Sequence, residues 1–227
     1  MTAPPTARIS WRDTARLVPS RYPSAGLFDK VASADDLELV IELEAWTNDR
    51  VNTEVGLVHA VPPEEWIAGK PMSSVIMAAF CHPNPLGSRF SSPQRGAWYA
   101  GRHLDTAIAE SLFHRGRELE EVGVTDARME MRLYRADFRN TFHDLRGGDP
   151  SFARFLDPDS YAASQALAAR LLASGSNGLV YPCVRSAGGE CIACFRPPLV
   201  AGVRTGGHYE FRWQADAAPL VRRIATG

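Results

Sequence analysis

The stretch from Pro85 to Arg117 constrains the fold more than any other part of the chain. A loop punctuated by Asn84-Pro85, Gly87 and Ser91-Ser92 gives way to the apolar run Ala97-Trp98-Tyr99-Ala100, which reads as a strand. Asp105 then suits the N-cap of a helix running to about Glu121. A strand and a helix separated by a few residues must pack side by side. The loop arginine Arg89, the strand tyrosine Tyr99 and the helical glutamate Glu110 are therefore candidates to share one cleft.

Along the rest of the chain, residues 1–18 are mixed in polarity and read as an irregular lead-in, and Arg21 to Phe28 as a short extended segment. Ser33 and Asp36 have capping-box spacing, which predicts a helix from Ser33 to near Asn48. Val75 to Phe80 is apolar throughout, so periodicity leaves strand and short helix open. Met129, Met131 and Leu133 alternate with charged residues as in a half-buried strand, and Thr141 to Leu145 predicts another. Asp157-Pro158 predicts a helix start and Gly175 its end. Gly178–Val184 and Glu190–Phe195 read as strands joined by a turn at 186–189, Tyr209–Trp213 as a last strand, and the tail beyond Ala217 as a short helix. Strands bunched by short turns, with helices interrupting them irregularly, predict a single α+β domain over residues 19–215, between the lead-in and a tail at 216–227.

Composition excludes more than it selects. A net charge of -1 gives no electrostatic reason to expect direct nucleic-acid binding. Of the 25 basic residues only Lys30 and Lys70 are lysine, a bias that codon usage explains and that nominates no anion site by itself. No apolar run approaches a membrane span, the start lacks the hydrophobic core of a signal peptide, and the 4 cysteines are too sparse for a disulfide framework. These features predict a cytoplasmic bacterial protein with reduced thiols.

GxGxxG, P-loop, HExxH and GxSxG sequences are all missing. Cys191 and Cys194 form a lone CxxC, but on a strand they face opposite sides; a zinc set with Cys183 and His208 would need help from the fold, and no metal is expected. Glu110 points away from the Ile108–Leu112–Leu119 stripe of its helix, either into solvent or into the cleft. Arg89 sits among small residues, where an anion can approach both backbone amides and a guanidinium fork, although a solvated arginine fits equally. Tyr99 reads as a core aromatic or a stacking surface.

Taken as an ordered set, Arg21-Tyr22, Gly87-Ser88-Arg89-Phe90-Ser91, Trp98-Tyr99-Ala100, Ala107 to Glu110, Gly178 to Pro182, Arg185 and Gly188-Gly189-Glu190 resemble the RES family, toxins of bacterial RES–Xre toxin–antitoxin pairs. The resemblance spans about residues 15–213. It implies an ADP-ribosyltransferase-like fold of twisted mixed and antiparallel sheets flanked by helices. It further implies NAD as substrate, consumed by hydrolysis or phosphorolysis or used to ADP-ribosylate a protein. An Xre-type helical antitoxin would block the site, in a hetero-oligomer or beside a homodimer. Carried over by position, Arg21 and Arg89 would hold the pyrophosphate, Tyr22 shape the cleft, Tyr99 stack on nicotinamide or ribose, and Glu110 act as the catalytic carboxylate. Ser91, Cys183 and Arg185 would add substrate contacts. Cys183 stands where the resemblance leads one to expect serine; its thiol is a weaker hydrogen-bonding group than a hydroxyl, which raises a second reading, a binding partner whose catalysis has decayed.

Overall fold

The structure, a computed structural model, describes residues 3–24, 26–44 and 55–225, without the side chains of 40–44. Its strands are β1 (Thr6–Pro19), β2 (Trp98–Gly101), β3 (Ala127–Asp144), β4 (Gly178–Pro182), β5 (Glu190–Cys194), β6 (Ala201–Trp213) and β7 (Leu220–Ile224). The helices are α1 (Leu27–Lys30), α2 (Ala34–Glu44), α3 (Ser73–Cys81), α4 (Leu104–Glu121) and α5 (Ala162–Ala173). All strands join one seven-stranded mixed sheet in the order β1-β2-β5-β4-β3-β6-β7, and β1 also pairs with β3, so five of the strands close on themselves. The α+β expectation holds.

Alternation along the short central strands sorts the core into layers. Trp98, Ala100, Val180, Ile192 and Cys194 face the largest cluster, beneath α3. Tyr99, Leu179, Tyr181, Cys191 and Ala193 face the opposite cluster, which α5 covers with Leu167 and Leu171. A third cluster lies under α4, where Ala107, Ile108 and Leu112 meet Met131, Leu133 and Phe211. α3 is buried on nearly every side, which is why its sequence carries no helical stripe.

Four sequence expectations are corrected. Residues 6–19 form β1 rather than an irregular lead-in, pairing with β3 over most of its length. Asp13, at φ 56, sits in a register shift between Trp11 and Thr14 that breaks the in–out alternation and hides the strand. The two strands expected around Met131 and Thr141 are one 18-residue strand, β3. The tail beyond Ala217 pairs with β6 as β7 instead of forming a helix. Residues 27–30 are a helical turn rather than an extended segment. Ser33 caps the helix, its Oγ accepting from the Asp36 amide at 3.1 Å, while the Asp36 carboxylate accepts from the Ser33 hydroxyl at 2.8 Å. The expected end near Asn48 lies outside the described residues. No helix among the described residues is long and apolar enough to cross a membrane.

Candidate active site

A cleft of about 270 Å³ opens where β1, β2, α4 and the loop after α3 meet. Gly101 ends β2 where an added Cβ would stand 2.7 Å from the Ala107 amide, so only glycine lets α4 lie this close to the strand. Ala107, Glu110, Ser111, His114, Arg115 and Glu118 then line the cleft at helical spacing. The face of α4 that periodicity left polar is the wall of the cleft.

Glu110 sits on that wall with its side chain 26% exposed. Cys183 Sγ donates to Glu110 Oε1 at 3.0 Å, and His114 Nε2 lies 3.6 Å from Glu110 Oε2. Burial opposes ionisation, but hydrogen bonds from His114 and Cys183, with the fields of His114 and Arg89, outweigh it and hold the carboxyl below its ordinary value. Glu110 is a carboxylate at neutral pH.

Arg89 is 93% buried and points its guanidinium into the turn before α5. It donates to the Asp157 carbonyl at 2.6 Å and the Phe155 carbonyl at 3.4 Å, and lies 4.6 Å from the centre of the Tyr161 ring. Asp157 does not cap a helix, as its sequence suggested. Its carboxylate accepts from the Asp159 and Ser160 amides, and α5 begins only at Ala162. That turn is what presents the carbonyls to Arg89.

Tyr99 ties the loop to the sheet. Its hydroxyl accepts from the Phe90 amide at 2.9 Å and donates to Ser91 Oγ at 3.1 Å. Burial pushes its phenol up, so it remains neutral. Ser88 and Ser91 close the intervening turn through paired backbone bonds of 3.0 and 3.3 Å, holding Arg89 at its tip.

The structure thus brings together Glu110, Arg89, Tyr99 and Ser91, all lining the cleft, with Cys183 bonded to Glu110 from behind. It leaves three predicted contacts outside the lining. Arg21 stacks over the ring of its neighbour Tyr22 at 5.1 Å and donates to its hydroxyl, and Tyr22 is 48% exposed. Arg185 lies over the Phe113 ring and donates to the Pro158 carbonyl.

The guanidinium that β1 contributes is instead Arg16, which donates to the Tyr99 carbonyl at 3.1 Å and lies 5.0 Å from the Trp98 ring. Burial lowers its pKa to about 10, leaving it protonated at neutral pH. Nothing local in the sequence marks Arg16. His114 was missed too, although its place four residues beyond Glu110 on one helix face is a signal that could have found it. Cys191 was read only as part of the CxxC, although the short β4–β5 turn, which sets Tyr181 opposite it, could have placed it at the site.

The zinc set weighed in the sequence, Cys183, Cys191, Cys194 and His208, does not assemble. Cys194 faces the other side of the sheet from Cys191, and His208 Nδ1 lies 3.4 Å from Ser20 Oγ on a distant strand. Glu110, Cys183 and Cys191 do come together, their ligand atoms within 4.8 Å of one another.

The protein y4oC of Sinorhizobium fredii (strain NBRC 101917 / NGR234) is 25% identical over 211 residues, covering 91% of this chain and 85% of that protein. A chain of the M. tuberculosis MbcT-MbcA toxin–antitoxin complex, 12% identical, aligns over 91% of this chain and 87% of its own with a TM-score of 0.46. The RES domain model matches residues 62–214, from before α3 to the end of β6 and so including all of β2, α4 and the cleft loop, and the chain belongs to the RES domain family.

Proposed function

We propose that this chain is the toxin of a bacterial toxin–antitoxin pair and cleaves the nicotinamide–ribose bond of NAD, with water or phosphate as acceptor. The observation that carries the reading is an ionised, half-buried Glu110 in a cleft that also holds Arg16, Arg89 and Tyr99. Membership of the RES family supports the substrate and the toxin role.

Breaking the glycosidic bond builds positive charge on the ribose, as in other glycosyl transfers. A fixed carboxylate stabilises that charge and orients the incoming acceptor. Glu110 suits this because Cys183 donates to one of its oxygens and His114 Nε2 stands 3.6 Å from the other. Nicotinamide leaves as a neutral base, so the reaction needs no strong acid, and a phenol as weak as Tyr99 suffices as an orienting surface. Arg16 and Arg89 supply positive charge for the pyrophosphate, remote binding energy that positions the scissile bond. The thiol of Cys183 takes up the donor role expected of a serine hydroxyl, which argues against a decayed site. A helical antitoxin closing the cleft mouth is the partner this reading requires.

The test is nicotinamide release from NAD by the purified protein, followed chromatographically with and without phosphate. Glu110→Gln keeps the shape and one acceptor oxygen but removes the charge. We expect release to fall by at least about 100-fold; full turnover in the variant would end the assignment.

A further inference from the structure

The mechanism leaves a buried pair of thiols directly behind its carboxylate. Cys183 and Cys191 come from the neighbouring strand segments of the β4–β5 hairpin. Tyr181 pairs with Cys191, and the Cys183 amide donates to the Gly189 carbonyl at 2.8 Å, so both cysteines lie diagonally on one face. Glu110 reaches the same spot from α4, 3.0 Å from the Cys183 sulfur. All three ligand atoms fall within 4.8 Å of one another. Around a tetrahedral zinc, sulfur and oxygen ligands stand about 3.5–3.8 Å apart, given bonds of about 2.3 Å to sulfur and about 2.0 Å to oxygen. Small side-chain rotations close the difference.

We propose that Glu110, Cys183 and Cys191 bind a thiophilic divalent cation of the zinc class, and that the bound ion inhibits the enzyme by withdrawing Glu110 from the reaction. Two thiolates and a carboxylate are a donor set that zinc prefers over the hard cations. Charge balance favours the exchange. The empty site carries the single negative charge of Glu110; binding one dication expels the two thiol protons to solvent and leaves the same net charge beside Arg89 and His114. Glu110 and Cys191 line the cleft, so an ion can enter from it and keep its fourth position open to water. The binding site stands apart from the proposed activity, whereas its inhibitory consequence rests on that reading.

The full chain, with thiols reduced and without NAD, is titrated with Co²⁺ as a spectroscopic probe and then with Zn²⁺ as competitor. We expect one equivalent of Co²⁺, an intense thiolate-to-cobalt absorption band, and its loss on adding one equivalent of Zn²⁺. Cys183→Ser and Cys191→Ser should each weaken binding by at least about 100-fold, while Cys194→Ser, on the other face of the sheet, binds as the wild type does. Absence of the band in the wild type, or unweakened binding in both serine variants, overturns the site. If circular dichroism shows that the serine variants do not fold, the wild-type band decides alone: intensity for two thiolates supports the site and none rejects it. Zn²⁺ that binds but leaves nicotinamide release unchanged overturns the inhibitory half, whereas the role of Glu110 stands or falls by Glu110→Gln.

Discussion

Replacing Tyr99 with phenylalanine removes one oxygen atom and isolates the link between the sheet and the loop that carries Arg89. The ring stays in place, but the Phe90 amide loses its acceptor at 2.9 Å and the Ser91 hydroxyl its donor at 3.1 Å. Phe90 is almost fully buried, so water does not replace the missing oxygen there. A buried donor left unsatisfied costs about 1–3 kcal/mol. Ser91 borders the cleft, where water can re-satisfy it, and adds less than about 1 kcal/mol. The sum is about 1–4 kcal/mol, or about 5- to 850-fold in the equilibrium that holds the turn closed. Urea unfolding of Tyr99→Phe should show that loss, and the Phe90 amide should exchange with deuterium faster by a similar factor. The loosened turn aims Arg89 less well, so the apparent KM for NAD rises as well. A variant within about 0.5 kcal/mol of the wild type, with unchanged exchange at Phe90, would refute the claim that this hydroxyl holds the turn.

Because the Glu110 carboxyl is depressed in the folded protein, its anion is present above the ordinary carboxylate range and is lost only as pH falls through the lowered value. The pH profile of nicotinamide release should therefore carry no acid limb from Glu110 between about pH 5 and 8, and Glu110→Asp should be compared to see whether any limb moves with the carboxylate. Arg89→Lys keeps the charge but loses the planar fork on the Phe155 and Asp157 carbonyls and the stacking on Tyr161. We expect KM for NAD to rise about tenfold or more with folding intact by circular dichroism. Gly178 opens β4 at φ 119, and a Cβ there would stand 2.1 Å from the Ala193 carbonyl; Gly178→Ala should lower stability by at least about 3 kcal/mol in urea unfolding.

The residues that make chemistry were readable because they sit in short, well-punctuated elements. Gly87, Ser91-Ser92 and the apolar run at Trp98 set the turn and strand around Arg89 and Tyr99, and the stripe of α4 left Glu110 on its polar face. The resemblance to the RES family came from the same pieces. Arg21 and Tyr22 belonged to that set too, yet lie outside the cleft lining, at a turn where they contact each other.

Local pattern alone placed the helical capping at Ser33 and the β4–β5 hairpin, because both depend on neighbours within a few residues. The long strands were another matter. In β1 the register shift at Asp13 moves the buried positions from Ile9 and Trp11 to Thr14 and Ala15. In β3 the buried face changes midway, from Met131 and Leu133 in the cluster under α4 to Tyr134, Ala136 and Phe138 in the cluster under α3. A strand whose period breaks midway carries no readable alternation, and its conformation is fixed only by partners more than 100 residues away in sequence. Those pairings decide that Arg16, rather than Arg21, lines the cleft, and only tertiary packing brings Glu110 of α4 to the hairpin cysteines 183 and 191.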